Sequence, residues 1–296
     1  MIKIGCNFLS LKDTSVEEFI QTAYDLRLDV VDFHQKAFEG MSEEALGKIK
    51  QSCLKRGLPI GYIGVSGLFV GTEMERKAHV EKSKEAVDLA FFLGSPIIRL
   101  FCAIIPEKNG DGDDPWTGMI SGYQEVADYA ATKGVSVGLQ NHPSTGDDML
   151  RIRGDVNRAN FNFIMDTGQW IGSPGGYEKE RTDVDFYGFM EQVAPHAMYI
   201  RCKFYEIENG TEAWIDYGRI VPIIQSVKYN GCISIVYEGK AEDRVEQVRK
   251  SALGGDENVA IMIKLSLFNP FAINNVTFSF HCFDAYGHIH IRHFKV

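Results

Sequence analysis

Four apolar runs in this chain end in polar side chains that could hold an ion or move a proton. V-S-V-G-L-Q-N-H, residues 135–142, ends in Gln140, Asn141 and His142, and F-N-F-I-M-D, residues 161–166, ends in Asp166. M-Y-I-R-C-K-F, residues 198–204, carries Arg201 and Lys203, and C-I-S-I-V-Y-E, residues 232–238, closes on Glu238. Earlier runs offer Asn7, His34 and Arg99. Charges at the ends of apolar strands are costly to bury unless they face one another, an ion or a ligand. Asp166 and Glu238, joined by a neutral donor, form a ligand set for a hard divalent cation. The same carboxylates suit proton transfer, with Arg201 and Lys203 stabilising a developing oxyanion. The plainer reading is a structural rim in which these acids and bases pair with each other. His142, Asn141, Arg99, His34 and Trp170 are the candidate substrate-binding residues. A lone histidine at a strand end is as readily a loop anchor, and Trp170 with the glycine-rich stretch 172–176 is as readily ordinary loop chemistry.

These residues converge only if the elements beneath them place their ends together. Side chains alternate across a strand, so Ser136, Gly138, Gln140 and His142 share one face and Val135, Val137 and Leu139 the other. Small residues inside and bulky ones outside fit a strand between a crowded barrel axis and a layer of helices. Along the chain, short apolar runs alternate with amphipathic segments, the pattern of repeated strand–helix units. The strands are predicted at 2–8, 30–34, 59–65, 97–102, 135–142, 161–166, 197–204 and 232–238. Helices are predicted to begin near Ser15, where Ser15 and Glu18 have capping-box spacing, and after Ser42. Others follow over about 74–93, 117–133, 147–156, 184–193, 216–228 and 242–253, the third and fourth helices closed by Gly94 and Gly134. The segment 104–115 is a loop rich in Gly and Asp. The first turn, Asn7-Phe-Leu-Ser10, lacks the glycines of a dinucleotide fold. The expected fold is therefore α/β, a (β/α)8 TIM barrel forming a single domain over 1–256, with an atypical C-terminal extension over 257–296.

Composition narrows the function classes. With 45% hydrophobic and 24% charged residues the chain has material for a large core. Its net charge of −9 argues against a general nucleic-acid or anionic-membrane surface. The six cysteines are scattered without a C-x-x-C pair, several in apolar runs, as structural thiols are. No signal peptide or membrane-length apolar run is evident, so the expected location is cytoplasmic. After about Val259 the composition changes: Asp284 is the only acidic residue, and His281, His288, His290 and His293 crowd together. This tail could add a hairpin, swap onto a partner, or be a non-native sequence from another reading frame. Its histidines are a weak metal-site candidate, irregularly spaced and without an acidic partner.

The strand ends together resemble the xylose isomerase-like TIM-barrel superfamily, the sugar phosphate isomerase/epimerase group that also includes the family 2 apurinic endonucleases. Its carriers are G-V-S-V-G-L-Q-N-H at 134–142, I-M-D-T-G-Q-W at 164–170, Y-I-R-C-K-F at 199–204 and I-V-Y-E-G at 235–239, each similar to a family strand. The resemblance runs from Met1 to about Leu253. It implies isomerisation or epimerisation of a sugar, sugar derivative or polyol through proton transfer beside a carbonyl. Glu238 would be base or base and ligand, Asp166 ligand or second acid/base group, and Arg201 with Lys203 the oxyanion stabilisers. It also implies a divalent metal, Mn, Mg or Zn, held through Glu, Asp, His and Glu. By position these are Gln140, Asp166, Arg201 and Glu238, so the metal set reduces to Gln140, Asp166 and Glu238, while Arg201 cannot coordinate an ion. The alternative is a non-catalytic carbohydrate-binding or accessory barrel that has lost the metal site. A nuclease on this fold would need a histidine-rich metal centre and a basic groove, both unlike this sequence. The expected partner is a small-molecule sugar or polyol, with no nucleic acid and no membrane, and self-association into a homo-oligomer is left open.

Overall fold

The computed structural model of the chain describes residues 2–105, 114–176, 178, 181, 183–208, 211–253, 277–283 and 289–295. Eight parallel strands close into a barrel in the order β1-β10-β7-β6-β5-β4-β3-β2. They are β1 (Lys3–Asn7), β2 (Val30–His34), β3 (Ile60–Gly64), β4 (Ile97–Phe101), β5 (Ser136–Gln140), β6 (Phe161–Asp166), β7 (Ala197–Phe204) and β10 (Cys232–Tyr237). Between the last two lies a ribbon of β8 (Ile207–Glu208) and β9 (Thr211–Glu212), which the sequence pattern did not predict. The helices are α1 (Val16–Asp25), α2 (Glu43–Arg56), α3 (Glu73–Leu93), α4 (Pro115–Thr132), α5 (Gly146–Val156), α6 (Phe186–Val193), α7 (Tyr217–Ser226) and α8 (Arg244–Leu253). The (β/α)8 expectation holds.

Local chemistry sets several boundaries. Ser15 caps α1 through a capping box with Glu18, and Thr72 does the same for α3 with Glu75. Gly57 and Gly94 end α2 and α3 in the left-handed conformation that a Cβ disfavours. Gly134, expected as a stop, sits just beyond α4 with φ of 68°.

Two apolar layers form. The larger lies between strands and helices, with Val137, Leu139, Phe163 and Ile200 facing Val126, Met149 and Ile224. A smaller cluster inside the barrel contains Tyr62, Ile97, Ile164 and Tyr199. Simple alternation fails in β3: Val31 pairs with Ile60 but Phe33 with Ile63, so Gly61 and Tyr62 both stand opposite Asp32. This bulge lets Tyr62 point inward although Ile60, two residues earlier, belongs to the outer layer.

No helix among the described residues is long and apolar enough to cross a membrane. In the tail, β11 (Thr277–Phe283) and β12 (Ile289–Lys295) pair antiparallel, Thr277 against Lys295 and Phe283 against Ile289. The histidine side chains of the tail, most of the 104–115 loop and the expected boundary at 256/257 lie outside what is described.

Candidate active site at the barrel mouth

The inward parity read from the strands brings the candidate residues to the mouth at the strands' C-terminal ends. Asp166, the last residue of β6, lies beside Arg201 of β7 in the sheet register. Its Oδ2 accepts a 3.0 Å hydrogen bond from Gln140 Nε2 and lies 3.3 Å from Arg201 Nε. Arg201 Nη1 donates to Gln140 Oε1 at 2.6 Å, closing a three-residue ring. The other carboxylate oxygen, Oδ1, accepts from the Gly168 backbone N–H at 3.0 Å. Lys203 Nζ stands 4.0 Å from Asp166 Oδ2 and donates to Glu238 Oε1. The rim network predicted as the plainer reading therefore forms, and most of it is sealed: Asp166, Gln140, Arg201 and Lys203 are all buried.

Glu238 differs, with a side chain 28% exposed. Burial pushes its carboxyl up, but the Lys203 ammonium beside it, with Arg201 behind, wins and holds it below the usual carboxylate range. Burial lowers the Lys203 ammonium, against the attraction of Asp166 and Glu238. For Arg201 burial acts in the same lowering sense, and Tyr62, Asp166 and Glu238 outweigh it, leaving the guanidinium raised.

Not every predicted residue is available to a ligand. Asn141 is fully buried and both ends of its amide are committed: Nδ2 donates to the Asp166 carbonyl at 2.9 Å and Oδ1 accepts from the Asp166 N–H at 2.8 Å. It locks β5 to β6 instead of binding substrate. Trp170 is likewise corrected: it is fully buried in the outer layer against Phe189 and cannot cover a sugar. His142 lies one step past Asn141, half-buried, its ring 4.7 Å from that of Phe101. Burial lowers its imidazole.

His34 Nδ1 accepts from the Lys36 N–H at 3.2 Å, so the neutral ring carries its proton on Nε2 and donates it to Ser66 Oγ at 2.9 Å. Burial, with Arg99 next, drives the imidazole down to about 3, fixing the neutral form. Ser66 is then the group this corner presents. Arg99 is 4% exposed, with its guanidinium 3.8 Å over the Phe101 ring.

Sequence reading passed over Asp32, Tyr62 and Tyr199. Asp32 is fully buried inside the barrel and accepts from Tyr199 OH at 2.7 Å. Burial pushes its carboxyl up to about 7, against the hydroxyls of Ser234 and Tyr199 and the charge of Arg201. Its parity with His34 was the available signal. Tyr62, which accepts from Asn7 Nδ2 at 2.9 Å, could not be found by parity because of the bulge.

A divalent ion at Gln140, Asp166 and Glu238 does not fit this arrangement. Arg201 occupies the fourth ligand position, has no lone pair to give, and already holds the Gln140 oxygen and faces the Asp166 oxygen that an ion would need. Among the described residues no group of three or more His, Cys, Asp and Glu comes together.

Solved structures share this architecture at low identity. D-psicose 3-epimerase with D-tagatose from Clostridium cellulolyticum H10 aligns with a TM-score of 0.68 and 14% identity, over 85% of this chain and 97% of that one. A xylose isomerase domain protein from Planctomyces limnophilus aligns at 0.67 and 19%, over 92% and 98%. The 3-keto-D-glucoside 4-epimerase of E. coli aligns at 0.68 and 15%, over 86% and 98%. No curated protein sequence matches. The family model described as xylose isomerase-like TIM barrel matches residues 20–253, nearly the whole of the closed barrel, and this chain belongs to that family.

Proposed function

We propose that the protein is a sugar isomerase or epimerase that moves a proton beside a carbonyl, with fixed cations in the role of electrophile. The observation that carries the reading is the Lys203–Glu238 pair at the mouth, a partly exposed carboxylate on a buried ammonium. Support comes also from the family and from the sugar epimerases that share the fold.

In this reading Glu238 removes the proton from the carbon next to the carbonyl, and the carbonyl oxygen becomes an oxyanion facing Lys203 and Arg201. As Lys203 turns toward that oxyanion, Glu238 loses the partner that holds it ionised and becomes a stronger base. Asp166, whose two oxygens are already engaged, keeps Arg201 and Gln140 in place. Return of the proton by the same carboxylate to the adjacent carbon, with the neighbouring hydroxyl's proton passing to the oxyanion so that the carbonyl moves over by one carbon, gives isomerisation. Epimerisation needs a second group on the opposite face, where His142 is the candidate. No step is assigned to a metal, because the donor set is occupied by Arg201.

The sealed Gln140–Asp166–Arg201 ring gives the non-catalytic sugar-binding reading its own support. A panel of aldoses and ketoses in D2O, followed by NMR for exchange at carbon, separates the two. Exchange is expected with at least one sugar and should fall by about 10²–10⁴-fold in Glu238→Gln. Binding without exchange identifies the non-catalytic barrel, and undiminished exchange in Glu238→Gln overturns the mechanism. Metal content and a chelator control test the cation assignment separately.

A further inference from the structure

We infer that the ligand of this mouth carries an anionic group, a carboxylate or a phosphate ester, and that Arg99 is the residue that receives it. This names the substrate class for the proposed sugar site and rests on that reading. Arg99 is the third residue of β4, inward-facing and 4% exposed. Its Nε and Nη1 are buried with no hydrogen-bond partner among the described residues. Arg201, one wall away, has Gln140 and Asp166. The nearest influences on Arg99 are burial and repulsion by Arg201, opposed by Tyr62 and Asp166, and together they lower its guanidinium to about 9. A buried guanidinium without a counter-charge is unfavourable in the free protein and strongly favourable toward an incoming anion.

The sequence around it makes room for this. At the level of Arg99, the neighbouring strand β3 presents a glycine, Gly64. A Cβ on Gly64 would stand 2.4 Å from Arg99 Nη2, so the guanidinium lies where that side chain would be. One face of the guanidinium is stacked on Phe101, leaving its N–H edges for a ligand. Phe101 and His142, whose rings lie 4.7 Å apart, are both half-buried beside it.

The charges agree. Arg99, Arg201 and Lys203 face two mouth carboxylates, Asp166 and Glu238, while the deeper Asp32 is bound by Tyr199 and pushed up to about 7. A chain of net charge −9 thus keeps an excess positive charge at the end of its barrel. Such a local excess of positive charge attracts anions against the field of the rest of the surface.

Calorimetry on the full chain with D-fructose, D-fructose 6-phosphate and D-glucuronate as probes tests the assignment. At least one anionic sugar should bind about tenfold or more tighter than fructose, a preference that Arg99→Gln removes. Tightening by the phosphate ester alone identifies a phosphate ligand, by glucuronate alone a carboxylate, and by both a site that reads charge. Arg99→Lys should retain part of the preference, and Arg99→Gln should melt at or above the wild-type temperature. If Arg99→Gln fails to fold, salt titration of the wild type decides: added chloride should weaken the anionic sugar and leave fructose unchanged. No preference for either anion, or a preference surviving in Arg99→Gln, overturns the inference. Tight anionic binding without carbon exchange would overturn the isomerase reading and leave this one standing; exchange on neutral sugars without anionic preference would do the reverse.

Discussion

The two walls of the barrel mouth treat charge differently. On the wall of β5, β6, β7 and β10, each ionised side chain meets an opposite one: Asp166 with Arg201 and Lys203, and Lys203 with Glu238. On the wall of β2, β3 and β4, burial raises the Asp32 carboxyl to about 7, His34 is held neutral, and Arg99 makes no ion pair among the described residues. Paired buried charges brace the fold, since removing one strands the other. Unpaired ones weaken the free protein and become favourable only when something binds. In the proposed reading the paired wall carries rigidity and the unpaired wall holds the affinity for a ligand.

Breaking the paired wall should have the largest effect. Asp166→Ala leaves Arg201 and Lys203 buried with one carboxylate between them, and should lose about 3–5 kcal/mol of stability in urea unfolding. A loss below about 1 kcal/mol would mean that the ring contributes little.

Asp32 gives the next effect, and it has a sign. Its carboxyl is raised from 3.8 to about 7, so the folded state holds the proton more tightly than the unfolded chain. That stability is fully present below the unfolded value and is lost as pH rises through about 7, roughly 4 kcal/mol across the window. Asp32→Asn, which keeps an oxygen acceptor for Tyr199, should flatten the wild-type decline between about pH 4 and 7. An identical decline in the variant would show that another group titrates.

The smallest effect is expected beside Arg99. Gly64→Ala puts a methyl against a flexible guanidinium end, so stability should change by on the order of 1 kcal/mol or less while anionic-sugar binding weakens. An equal loss of fructose binding would place the damage in the barrel wall instead. Together with the Arg99→Gln melt, this sharpens the contrast: changes on the unpaired wall should alter binding more than folding.

Much of the frame was legible because it rests on local chemistry. The runs 30–34, 161–166 and 197–204 became β2, β6 and β7 at the expected residues, and Ser15 and Gly94 mark helix ends through hydrogen bonds and backbone angles made within a few residues. Parity alone carried Gln140, Asp166, Arg201 and Lys203 to a common interior, because a closed barrel leaves one inner side to every strand. Residue type misjudged Asn141, whose amide is taken by the Asp166 backbone, and Trp170, whose ring is buried against Phe189.

What the sequence determined by itself is the alternation of strand and helix and the set of charges carried to one end. Tertiary structure decided which of those charges meet. The β3 bulge turned Tyr62 inward, the β6–β7 register set Asp166 beside Arg201, and Gly64 left Arg99 room, with no ion pair among the described residues. Pairing at hydrogen-bond distance depends on shear and register among strands distant in sequence, 167 residues apart for Tyr199 and Asp32, and no local pattern encodes that.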